Sequence, residues 1–296
     1  VTDLIALGVG AIIGTGIFVL IGTATVGDAV RLGAGPGITL SFLLSGLACV
    51  LAALCYAEFA AMIPVSGSAY TYSYATLGEF IAWITGWNLI LEYGVASVAV
   101  AIGWSGYFNK LLQIAGIYLP DWATHAPGGP EGGVINLPAM IIVLLCTWML
   151  VVGIKESARI TTIIVVIKLV VIGFFIAVGA DQVDTANWSP FMPNGFAGVG
   201  AAAAIVFFAY IGFDAVSTTA EEARNPQRDI PIGIIASLGI CTLLYLAVAA
   251  ILTGMIPWQK IDVNAPIADA LGQLGFKWGA AIVSVGAVAG ITSVLV

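Results

Sequence analysis

The chain has 296 residues, of which 60% are hydrophobic and 8% charged, and its mean hydropathy is +1.08. A soluble domain carries roughly 25% charged residues, so this composition excludes a large soluble domain and points to an integral membrane protein. The net charge of −7 comes mainly from acids in the polar connections and gives no footing for nucleic-acid binding.

A membrane-crossing helix needs about 20 apolar residues. Eight such runs are predicted, at 2–24, 37–63, 79–108, 134–153, 159–180, 197–220, 231–254 and 277–296. The first lacks the basic region and small-residue cleavage site of a signal peptide. Val1 is not a natural start, and the eighth run closes on GITSVLV with no stop signal, so both ends are expected to be cut. Short polar connections are predicted at 64–78, 154–158 and 221–230. The 109–133 loop carries Pro120, Pro127 and Gly128-Gly129-Pro130, and the 255–276 loop is expected to hold a short surface helix begun by Asn264-Ala265-Pro266. Cys49, Cys55, Cys146 and Cys241 lie in apolar runs and read as buried free thiols, without disulfide or metal-binding spacing. Lys155, Arg159, Arg224 and Arg228 lie close to span ends in short loops, against Arg31, Lys110, Lys260 and Lys277 on the other side. The positive-inside rule weights short loops, which favours a cytoplasmic N-terminus.

The first run, GVGAIIGTGIFVLIG at 8–22, is broken by Gly14-Thr15-Gly16. Lipid offers no partner to a free N–H or C=O, so irregular backbone at membrane depth belongs where it lines a cavity or is buried in protein. The restarting half-helix, near Gly16 and Ile17, would present free N–H groups and a positive dipole end, suited to a carboxylate. Gly10 and Gly14 also fit a small-residue packing face. The sixth run is interrupted at Phe208-Ala209-Tyr210-Ile211-Gly212, where free carbonyls would suit an α-ammonium. Paired broken spans are the pattern of a transporter's binding site, and together the two ends match an amino-acid backbone. Five spans separate the two breaks in register, an odd number, as an inverted repeat requires.

Other polar groups stand out. Lys168 sits nine residues into the fifth span, where a charged lysine costs at least ~2.5 kcal/mol. Burial disfavours its charged form, so it is a candidate proton carrier or a fixed cation in a metal ion's place; snorkelling to the interface is the bland reading. Glu92, with Asn88 one turn earlier, is an intramembrane carboxylate for protons or a cationic substrate, or a hydrogen-bonded structural carboxyl. Asp214 reads as an N-cap of the second half-helix, with a gating contact as the sharper alternative. Glu58 reads as interfacial and His125 as a bystander in its loop. Trp83, Trp87, Tyr70, Tyr72 and Tyr74 read as interfacial anchors. One histidine and no nucleophile or metal-ligand set argue against an enzyme.

GVGAIIGTGIFV at 8–19, YAEFAAMIPVSGSAYTYSYATLGE at 56–79 and IGFDAVSTTAEEARNPQRDIPIGI at 211–234 resemble the amino acid–polyamine–organocation superfamily. The last stretch is most similar to the cationic amino acid transporter branch and its bacterial members. The resemblance implies an all-α, LeuT-type inverted-repeat membrane fold. It gives one transmembrane domain over 1–296, with a first repeat of about 1–180, an incomplete second of about 197–296, and eight helices of an expected twelve or more. It implies secondary transport of L-amino acids, cationic or small neutral, by alternating access in a bacterial plasma membrane. By position it assigns Ile13, Gly14, Thr15, Gly16 and Ile17 to the carboxylate-binding turn. Phe208, Ala209 and Ile211 take the facing stretch. Lys168 takes proton coupling in place of sodium, beside Gly10 and Ile13 carbonyls and the hydroxyls of Thr292 and Ser293, and Glu92 takes the branch's third-helix glutamate. No cofactor other than a coupling proton is implied, the partners are substrate and bilayer, and any small membrane-protein partner stays unassigned. A non-transporting receptor of the same fold, or a polyamine/amino-acid exchanger, is the alternative.

Overall fold

A computed structural model of the chain describes residues 1–28, 30–127, 132–153, 158–223 and 225–295, with backbone alone for 158–161 and Glu222. The first apolar run forms α1 (Thr2–Ile12), a break, and then a π-helical stretch (Gly16–Leu20) that continues into α2 (Ile21–Val26). The two halves bend by 42° at that break. There follow α3 (Ile38–Met62), α4 (Ser68–Leu77), α5 (Glu79–Ile114), α6 (Leu137–Val152) and α7 (Ala158–Ala180). The sixth run is α8 (Gly195–Val206), a 3-10 turn at Phe207–Tyr210, a non-helical stretch, and the short α9 (Ala215–Thr218). The chain continues with α10 (Pro226–Met255), α11 (Pro266–Gln273) and α12 (Lys277–Leu295). Among the described residues six helices are long and apolar enough to cross a membrane, or seven with the bent first pair. The expected span at 134–153 is a helix of 16 residues, shorter than the others.

α1 lies at the centre, packed on α10, α7, α9 and α12, while α3 packs on α10 and α8, and α12 on α5 and α7. Helices in lipid gain little from apolar burial against one another and associate through close packing and interhelical hydrogen bonds. Both devices occur here. A Cβ at Gly8 would collide with Ser237 of α10, and one at Gly10 with Val165 of α7, so α1 can sit close to both. Ser41 and Ser45 of α3 donate to the carbonyls of Val199 and Ala203 in α8, at 2.9 and 2.7 Å, one turn apart on each helix.

Several expectations change. The predicted connection 64–78 contains α4, because Ser68–Leu77 docks on α5. Tyr72, expected at an interface, is buried on Phe59, with ring centroids 5.4 Å apart and stacked. The helix after Asn264 is not a surface helix: Ile267, Ala268, Ala270 and Leu271 are buried against α12 and the restart of the first run. Of the four thiols, Cys55 is exposed and the other three buried. Lys155 and Arg224, on which the predicted orientation partly rests, lie outside the described residues, as do Gly128, Gly129 and Pro130.

Candidate functional site

The two breaks face each other. Gly16, at the restart of the first run, approaches the 3-10 turn so closely that a Cβ there would overlap the Cα and Cβ of Ala209. Gly212 takes φ +116°, a conformation that suits glycine, and a Cβ there would lie 2.9 Å from the Ala11 carbonyl oxygen. Each break therefore contributes one glycine to bring the other within reach.

Between them is a cavity of about 220 Å³. Gly14, Thr15 and Gly16 form one wall, and Phe208, Ile211 and Gly212 form another. Tyr93, Ala96, Ser97 and Val100 of α5 close a third side, with Ser293 and Val294 of α12 beside them. The Thr15 hydroxyl, on a residue 2% exposed, has no hydrogen-bond partner among the described residues. A buried unpaired hydroxyl costs about 1–3 kcal/mol, so this wall carries an unmet hydrogen-bonding need. The first N–H groups of a helical segment have no partner within it and point along its axis, which adds donors at the restart near Gly16.

Lys168 of α7 is fully buried. Its Nζ donates to the carbonyls of Gly10, at 2.8 Å, and Ile13, at 2.9 Å. No carboxylate is ion-paired with it among the described residues. The compensating charge is instead the carbonyl end of α1, where the helix dipole is negative. The break makes this possible, since it leaves terminal carbonyls without partners further along the helix. Lys168 sits behind the first wall, outside the cavity lining. The α12 hydroxyls expected beside it bond elsewhere: Thr292 accepts from Trp104 Nε1 at 2.9 Å and donates to the Val288 carbonyl, and Ser293 donates to the Gly290 carbonyl. What α12 offers Lys168 is the bare backbone of Gly290, where a Cβ would come within 2.9 Å of the lysine stem.

The other predicted residues divide. Ile13 and Ile17 are fully buried behind the turn and do not line the cavity. Ala209 is spent on packing against Gly16. Glu92 and Asn88 of α5 are exposed and are not among the residues that line the cavity. Glu92 draws notice by its charge, but the residues of α5 that line the cavity are its neighbour Tyr93 with Ala96, Ser97 and Val100, at helical spacing. Asp214 does not cap α9 with its side chain. It accepts from Tyr93 Oη at 2.9 Å and Ser68 Oγ at 3.3 Å, tying the sixth run to α5 and to the start of α4. Sequence reasoning also passes over Tyr245 of α10, whose hydroxyl oxygen lies 2.9 Å from the Ile12 carbonyl and 2.8 Å from that of Ala209. The available signal was a polar-tipped aromatic inside an apolar run. A second cavity, of about 230 Å³, lies between the end of α5 and residues 262–265 and holds none of the predicted site residues.

The whole chain, residues 1–296, matches the model of the amino acid permease family. The chain belongs to this family. Its relatives include the branched-chain amino acid permease BcaP of Bacillus subtilis, 55% identical over 99% of this chain and 62% of the relative. The methylthioribose transporter of the same organism is 52% identical over 99% of this chain and 62% of the relative. The chloroplastic cationic amino acid transporter 9 of Arabidopsis thaliana is 43% identical over 99% and 51%. The chain thus spans less than two thirds of the length of these permeases and transporters. Family membership and the apolar helices make it a multi-pass membrane protein.

Proposed function

We propose that the protein is a secondary active transporter of L-amino acids that binds substrate between the breaks of its first and sixth spans and exposes it alternately to the two sides of the membrane. The cavity between the two breaks, with the unpaired Thr15 hydroxyl on its wall, is the observation that carries this reading. The substrate carboxylate meets Thr15 and the N–H groups at Gly16, and the ammonium meets carbonyls of the 208–212 stretch. The two interrupted spans are equivalent members of an inverted repeat, with the first repeat at about 1–180 and the second from about 197. Beside the hydroxyls of Tyr93, Ser97 and Ser293, the remaining lining is mostly apolar, including Ala11, Ile12, Val100, Phe208, Ile211 and Val294, and among the described residues it carries no charged side chain. That favours a neutral, aliphatic substrate, in keeping with the branched-chain permease among the relatives, over a cationic one held by Glu92.

Lys168 supplies the coupling. As an ammonium it binds the Gly10 and Ile13 carbonyls by charge-assisted bonds, which are roughly twice as strong as neutral ones. Loss of its proton loosens the end of α1, whose position forms one wall of the site. A fixed cation at this place also leaves no room for sodium.

The test is uptake of labelled L-leucine and L-arginine into vesicles holding the full-length protein, under an imposed pH gradient, with and without sodium. Saturable, proton-driven leucine uptake without sodium is expected. Strict sodium dependence would overturn the proton role. Saturable binding with no net uptake would replace transport by sensing.

A further inference from the structure

Tyr245 of α10 stands between the two breaks, and its role rests on the transport reading above. Among the described residues its hydroxyl is the one group outside the two interrupted spans that reaches a carbonyl of each, Ile12 at the end of α1 and Ala209 in the 3-10 turn. A tyrosine hydroxyl carries a single proton, so the two carbonyls share it. Tyr245 is fully buried. Its ring centroid is 5.3 Å from both Phe42 and Tyr210, so its aromatic neighbours hold the ring in place. Close approach of Gly16 to Ala209 puts the two breaks in contact, but apolar contact alone lets them slide. We infer that the Tyr245 hydroxyl is a clasp that couples the two helix breaks, positioning them as one site so that one opens only with the other. It is a positioning residue: it does not line the cavity.

Tyr245→Phe removes the shared proton and keeps the ring. In the full-length protein, binding of labelled L-leucine and L-arginine and amide exchange at 13–17 and 208–212 are measured together. For whichever probe the parent protein binds, the variant is expected to raise Kd at least tenfold and to speed exchange at both breaks. Thr253→Val removes a buried hydroxyl that bonds within α10 about two turns away, and should change neither. A Kd within threefold of the parent, or faster exchange at one break alone, overturns the clasp. If the parent binds neither probe, the transport reading fails, while exchange still decides the clasp. If Tyr245→Phe does not fold, exchange in the unaltered protein under rising denaturant serves instead. A clasp requires the two breaks to open with one common dependence, and separate opening overturns it.

Discussion

Gly14 and Gly16 are two residues apart in one turn, yet they differ in what a methyl group would meet. At Gly16 the obstacle is the Ala209 backbone, which has no rotamer to yield. At Gly14 it is the Val294 side chain, 3.0 Å from the added carbon. Gly16→Ala is therefore expected to separate the breaks and abolish amino acid binding, whereas Gly14→Ala keeps a folded protein with weakened binding. Equilibrium binding with a thermal melt on each variant checks the contrast. Lys168→Met keeps the length of the stem but leaves the Gly10 and Ile13 carbonyls without their lysine donor, which costs about 1–3 kcal/mol for each. Uptake by that variant should become indifferent to an imposed pH gradient, and a gradient response equal to the parent's would remove Lys168 from coupling.

The interrupted spans owe their form to composition and context together. Gly14 and Gly212 weaken the helix locally, since glycine is about 1 kcal/mol worse than alanine in a helix interior. Other glycines in this chain, such as Gly46 of α3 and Gly103 of α5, sit within continuous helix. The difference is what each glycine faces: Gly103 lies against the Thr15 side chain in a packed groove, whereas the breaks find outside partners for their freed carbonyls in Lys168 and Tyr245. Gly212→Ala, at φ +116°, is expected to disrupt the sixth span and lose binding even in protein that still inserts, as a binding assay on purified material would show. The rigid side of the fold is α3 against α8. Removing Ser41 and Ser45 hydroxyls together should cost about 1–2 kcal/mol, given roughly 0.6–1 kcal/mol for each such bond. A thermal unfolding series in detergent measures it, and additivity of the two single variants is the accompanying expectation.

Across the whole molecule, apolar side chains divide into a packed set around α1 and an outward set that includes Leu51, Leu91 and Leu144. In water the outward set would be a large aggregation hazard; in a multi-pass membrane protein it is surface for lipid or for further helices. Tryptophans report the division. Trp148 of α6 is 60% exposed, whereas Trp104 of α5 is 8% exposed and bonded to Thr292. With single-tryptophan variants in vesicles of brominated lipid, Trp148 fluorescence should be strongly quenched and Trp104 little affected. Equal quenching would contradict the packing of α5 on α12.

Membrane insertion, the apolar runs and both breaks were legible in the chain itself, because they follow from local composition: hydrophobic length, and glycine placed where lipid forbids free backbone. Lys168 was legible for the same reason, since a charge in an apolar run needs a partner. Its Gly10 and Ile13 partners came from the family resemblance, whereas the α12 hydroxyls expected there bond elsewhere, and the partners of the other site residues did not follow from the chain. α5 turns Tyr93 rather than Glu92 to the cavity, and Asp214 binds Tyr93 and Ser68 instead of capping α9. Tyr245 joins carbonyls 197 residues apart in the chain. These depend on how each helix is rotated about its axis, and a nearly uniform apolar helix carries little periodicity to set that rotation. Packing against α1, through small residues and a few buried hydrogen bonds, decides it.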